Sequence, residues 1–187
     1  MSRRLESASG MQALMADSFR ECDAAARDPA GRVAWCSSVG PVELLRALGF
    51  AVFFPENHAA MLGASRLATD LIPTATAEGY SPDVCSYMTS DIGAWRRGVT
   101  ALSRVDPSIA RVPRPDVLVY DTNQCRDVLD WFSFYGRQYG VPVIGVAAPR
   151  GVGVVTGELV AAVAAQIRAL VPPLEAIAGR RMDPDVL

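Results

Sequence analysis

Two short runs, "VLVY" (117–120) and "VIGVAA" (143–148), carry no charged residue. A strand with no polar face is covered on both sides, which is the situation of strands in a parallel sheet flanked by helices. Two further runs, "RVAWCSS" and "FAVFFP", read the same way. The segments between them show apolar residues at helical spacing, and parallel neighbours need such crossovers. The resulting order is α-β-α-β-α-α-β-α-β-α. It predicts an α/β fold: an open, mostly parallel sheet of about four strands with helices on both faces, three layers of the Rossmann or flavodoxin kind.

Punctuation along the chain refines this order. Met11 to Arg27 reads as a helix with Met11, Leu14, Met15 and Phe19 on its apolar stripe, stopped by "DPAG". Pro41 opens "PVELLRALG" and Gly49 closes it. "NHAAMLGASRLATDL" reads as one helix and "TATAEGYSPD" as a connection. Cys85 to Ala101 is helical, with Gly93 as its weak point, and Gly140 ends the helix that follows "NQC". The last helix, "GELVAAVAAQIRALVPPLEAIAG", is one or two, divided at Pro172-Pro173. Residues 1–30 form an N-terminal helical segment and residues 31–187 a single α/β domain.

Composition excludes several function classes. Half of the 187 residues are hydrophobic and the net charge is −2 with no basic run, so nucleic acid is a poor partner. No secretory leader is visible at the N-terminus. The stretch Leu159 to Val171 is interrupted by Gln166 and Arg168 and reads as a buried helix, not a membrane span. A cytoplasmic location is expected, where the four cysteines are thiols or metal ligands. All 18 basic residues are arginine, which removes P-loop and Schiff-base lysines. The one histidine, His58, rules out a zinc site built on two or three histidines.

Ligands of open α/β sheets bind at the carboxyl ends of the strands. Cys36 ends "VAWC", Glu56 follows "AVFFP", Cys125 follows "VLVYDT", and Cys85 starts a helix after a long connection. A helix start lowers the cost of a thiolate, the form that binds iron or zinc. No C-x-x-C spacing is present, so position alone leaves a metal site and ordinary buried or reactive thiols both open, burial being the commoner state of free cysteine. Cys22, inside the first helix, reads as core. "GVGVVTG" has the wrong spacing and place for a dinucleotide fingerprint. His58 reads as a capping or packing residue, and Glu56 as a general base or a surface carboxylate.

Several segments in order resemble one family: "WCSSVGPVELLRALGFAVFFPENHAAMLGA", "GYSPDVCSYMTSDIGAW", "RPDVLVYDTNQCRDVLDWF", "VPVIGVAAP" and "LEAIAGRRMD". The chain is similar to the cluster-bearing, substrate-binding subunits of 2-hydroxyacyl-CoA dehydratases and benzoyl-CoA reductases. The resemblance implies a 4Fe–4S cluster on three cysteines with one iron left open. Cys85 and Cys125 match the first two ligand positions. The third ligand in the family comes from a second α/β domain, before which this chain ends. The chain is then a fragment, or another subunit completes the site, or Cys36 substitutes, or the cluster is lost. Ser37 and Glu56 match positions implied to contact substrate or handle protons. The implied substrate is an acyl-CoA thioester, activated by one low-potential electron as a ketyl radical anion. The implied partners are a second related subunit and a separate ATP-dependent iron–sulfur activator. Two other readings remain: a non-catalytic α/β partner of a cluster-bearing subunit, and a cluster-free thiol or nucleotide-binding protein.

Overall fold

The computed structural model describes residues 6–103, 106–151, 153–183 and 185. The elements are α1 (Glu6–Arg27), β1 (Val33–Cys36), α2 (Val42–Ala47), β2 (Ala51–Phe53), α3 (Pro55–Ala64), α4 (Ala68–Ala77), α5 (Ser86–Arg97), β3 (Val117–Asp121), α6 (Asp127–Tyr139), β4 (Val143–Val146) and α7 (Gly157–Ala178). The four strands lie in the order β2-β1-β3-β4, and all pairs are parallel. The expected α/β architecture is therefore the one observed.

Alternation along β1 divides the interior in two. Val33 and Trp35 face a cluster formed with α1, α5 and α6, including Phe19, Ile92, Trp131 and Tyr135. Ala34 and Cys36 face the other cluster, with Leu44 and Leu45 of α2 and Leu170 and Leu174 of α7. The first face is thick and aromatic: Trp35 stacks edge-on with Tyr135 at 4.7 Å and Tyr139 at 5.5 Å. Its indole N–H donates to the Pro113 carbonyl.

The long helix expected over "NHAAMLGASRLATDL" is broken into α3 and α4. Arg66 takes a left-handed φ of 59° at the break. The Ser65 hydroxyl and N–H turn back to the Met61 carbonyl, and Leu67 N–H reaches Leu62. The turn buries Leu62, Leu67 and Leu71 in a small third cluster with Ala94. Helix α4 accordingly runs on through Thr74–Ala77, which sequence alone assigns to a connection. It lies against α5 because Gly93 has no side chain: a Cβ there would stand 2.1 Å from the Leu71 carbonyl oxygen. The weak point in α5 is a contact point. That helix ends at Arg97, with Gly98 left-handed at φ 62°, short of the expected Ala101.

Two expectations of burial fail. Met11 and Leu14 of α1 are 66% and 70% exposed, and the helix docks instead through Phe19 and Cys22. Helix α7 is one continuous element through Pro172 and Pro173. It is 22 residues long and, by length and composition, apolar enough to cross a membrane; yet only 11% of its most apolar window is buried. Leu170 and Leu174 seat it on the sheet, and the Gln166 side-chain amide brackets the backbone of Ala147. Val163, Ile167, Val171 and Ile177 pack partly buried against the same cluster, while Leu159 and Val160 in its first turn are exposed.

Candidate functional site

In the order β2-β1-β3-β4 the connections leave β1 and β3 in opposite directions, which opens a crevice between the carboxyl ends of those two strands. Ser37 lies there, fully buried. Its N–H donates to the Val119 carbonyl and its Oγ accepts the Asp121 N–H at 2.9 Å. The hydroxyl expected to face substrate thus locks the two strand ends together. Its neighbour Ser38 is exposed, and Ser38 N–H donates to Glu56 Oε2. Glu56 is half-buried in the first turn of α3, where a carboxylate is favoured by the helix dipole. Val39, Gly40, Pro41, Glu43 and Asp121 line a cavity of about 330 Å³ at the same edge.

Cys36 is sealed beneath this edge. Gly40 passes so close that a Cβ there would lie 2.7 Å from its sulfur. Burial pushes the Cys36 thiol up to about 12, and the carboxylates of Glu56, Glu43 and Asp121 add to the effect. Cys22 is likewise buried, its thiol pushed up to about 12 mainly by burial, as expected of a core residue.

Cys85 and Cys125 stand apart from both. Each is half-exposed and packs against the α1–α5–α6 side of the sheet, the side opposite to Cys36. Cys85 is the N-cap residue of α5, and its carbonyl accepts the Thr89 N–H at 3.1 Å. Cys125 comes two residues before α6 begins. The Cys85 side chain accepts no helix N–H, and Arg126, not Cys125, occupies the N-cap of α6. Among the described residues, no three cysteine, histidine, aspartate or glutamate side chains gather into a metal-holding group. Cys36 in particular is not brought to Cys85 and Cys125, because odd and even residues of a strand face opposite layers.

Helices α3, α5 and α6 are tied by a group of which sequence reading singled out only His58. Asp91 of α5 is 2% exposed and His58 of α3 is 1% exposed. His58 Nδ1 lies 2.6 Å from Asp91 Oδ1, while His58 Nε2 accepts the Ala101 N–H at 3.2 Å. An acceptor Nε2 leaves the proton on Nδ1, which donates to Asp91. Trp131 Nε1 at 3.1 Å and the Tyr135 hydroxyl donate to Asp91 Oδ2. Burial, together with Asp91, pushes the Tyr135 phenol well above its ordinary range, so it remains a donor. The signal was present in the sequence as one acid on the apolar stripe of "CSYMTSDIGAW", but its partners come from two other helices. His58 takes the packing role expected of it.

Residues 37–187 match the family described as 2-hydroxyglutaryl-CoA dehydratase, D-component. The chain is 33% identical to the alpha subunit of lactoyl-CoA dehydratase of Anaerotignum propionicum, over 93% of this chain and 44% of that protein. It is 29% identical to the (R)-2-hydroxyisocaproyl-CoA dehydratase alpha subunit of Clostridioides difficile, over 85% of this chain and 38% of that one. A benzoyl-CoA reductase subunit of Thauera aromatica is 28% identical over 78% of this chain and 33% of its own length. The chain spans less than half the length of these curated relatives. It belongs to the family of the 2-hydroxyglutaryl-CoA dehydratase D-component, which takes in subunits of both 2-hydroxyacyl-CoA dehydratases and benzoyl-CoA reductase.

Proposed function

We propose that the chain is a component of an acyl-CoA dehydratase or reductase and holds part of a 4Fe–4S cluster through Cys85 and Cys125. The observation that carries this reading is the placement of two half-exposed cysteines at the starts of α5 and α6, on one side of the sheet. The third ligand comes from outside the described residues, in a further domain or a partner subunit. Such a cluster supplies, when bound, a single low-potential electron and an open coordination position.

The chain's own residues have narrower tasks. Asp91, with His58, Trp131 and Tyr135, fixes α5 against α6 and so sets where the two thiols stand. Ser37 fixes the crevice floor, and Glu56, held by Ser38 N–H beside an exposed loop, is the base that handles a substrate proton. An acyl-CoA thioester enters at this edge, and a separate ATP-dependent activator delivers the electron.

Anaerobically purified chain, reconstituted together with its partner subunit, is expected to contain iron and acid-labile sulfide and to absorb as a brown protein. Iron absent after that treatment would sink the proposal. With the cluster loaded, Glu56→Gln is expected to lower turnover by about a hundredfold or more, the usual worth of a general base, with iron content unchanged. Equal turnover would remove Glu56 from the role. A second reading is favoured by the missing third ligand: the chain supports a cluster carried wholly by another subunit. It predicts full iron content in the assembly after both cysteines are replaced.

A further inference from the structure

The opposite edge of the sheet carries its own concentration of charge. Trp95, Arg96, Arg97, Arg111, Arg114 and Tyr139 line a cavity of about 480 Å³. Arg111 and Arg114 precede β3, and Trp95 and Tyr139 lie at the ends of α5 and α6, the helices that start at the cysteine edge. The cavity is therefore at the amino edge, remote from the crevice between β1 and β3.

Four guanidinium groups gather here in a chain whose net charge is −2. Among the described residues one carboxylate answers them: Glu78 pairs with Arg96 at 2.7 Å. Arg97 donates to the Asp70 carbonyl at 3.2 Å and Arg114 to the Tyr139 carbonyl at 2.9 Å. The latter bond is ordinary chemistry for a cation at a helix C-terminus. Neither bond neutralises a charge, and each guanidinium keeps further N–H donors. Arg111 has no carboxylate partner among the described residues. The Tyr139 hydroxyl accepts the Trp95 indole N–H at 2.6 Å, which leaves its own proton to donate. Burial pushes that phenol up to about 12, so the proton is present at neutral pH.

Three uncompensated guanidiniums and a phenol donor match a compact group with several charged oxygens, since guanidinium recognises phosphate by paired hydrogen bonds. The cavity has the size of small-molecule sites and a concave aromatic wall, where an acidic peptide would need an extended stripe. We propose that this amino-edge cavity binds a diphosphate group, the group shared by nucleotides and coenzyme A. The site does not depend on the cysteines and stands apart from the proposed cluster.

Calorimetric titration of the chain with inorganic pyrophosphate at low salt tests it. Saturable binding is expected, weakened by about tenfold or more in Arg111→Gln/Arg114→Gln, as befits lost charge-assisted bonds. Arg111→Gln alone, at an exposed side chain, is expected to weaken it in a chain that still melts normally. Arg168→Gln, on α7 across the sheet, is expected to leave it unchanged. ADP and coenzyme A should displace pyrophosphate, and phosphate-free pantetheine should not. Cys85→Ser/Cys125→Ser should bind as the parent does, so this site and the cluster proposal fail separately. No saturable binding at millimolar pyrophosphate, or equal binding by folded variants with and without Arg111, overturns the assignment.

Discussion

At the scale of single residues, the four cysteines divide two and two. Cys22 and Cys36 are buried thiols pushed from 9 to about 12, while Cys85 and Cys125 are half-exposed. A disulfide reagent at mild alkaline pH should modify two thiols quickly and the other two only on unfolding; four equal rates would contradict the placement. The raised thiols also give a pH dependence. Unfolded chain loses these protons first, so the stability they contribute is complete below pH 9 and falls toward pH 12, by about 1.4 kcal/mol per pH unit for each thiol. Replacing both by alanine should flatten that slope in alkaline denaturation. Asp91 is the other residue on which much depends. Asp91→Ala strands the His58, Trp131 and Tyr135 donors and should cost about 3 kcal/mol or more in urea unfolding. A loss below about 1 kcal/mol would show the network to be dispensable. Position along strands and helices was enough to place Cys85 and Cys125 at helix starts. It could not reveal that Cys36 is sealed, because that depends on the loop at Gly40 passing close over its sulfur.

At the scale of elements, the strands were the most legible. "VLVY" and "VIGV" have no polar face, and both lie in the parallel sheet that this predicts. Helix boundaries were harder wherever tertiary contact decides them. Arg66 turns left-handed so that α4 can fold back on α5, and nothing in its local sequence asks for that. Pro172 and Pro173 sit inside α7 because Leu170 and Leu174 on either side are anchored in the core. Gly93 was visible as a weak helix former, but its use is to admit the Leu71 carbonyl. Gly93→Ala should therefore destabilise by about 1–3 kcal/mol despite alanine's better helix propensity. A gain in melting temperature would show that α4 and α5 can part without cost.

At the scale of the whole molecule, the two edges of the sheet carry different chemistry. The carboxyl edge has Glu43, Glu56 and Asp121 around the end of β1, with Cys85 and Cys125 on the aromatic side. The amino edge has the arginine cavity. Beside these, the surface leading into α7 is apolar: Val154 is 86% exposed, Val155 75% and Val160 57%. A patch of this kind drives association. The chain by itself should self-associate with concentration, and Val155→Glu/Val160→Glu should return it to monomer without lowering its melting temperature. A parent chain monomeric at every concentration would contradict this. The central claim is that Cys85 and Cys125, and not Cys36, are this chain's iron ligands. It is tested most directly by iron per chain after anaerobic reconstitution with the partner subunit, compared across single serine variants. The account predicts that Cys85→Ser and Cys125→Ser lose iron while Cys36→Ser keeps the parent's content; full iron in either of the first two would contradict it.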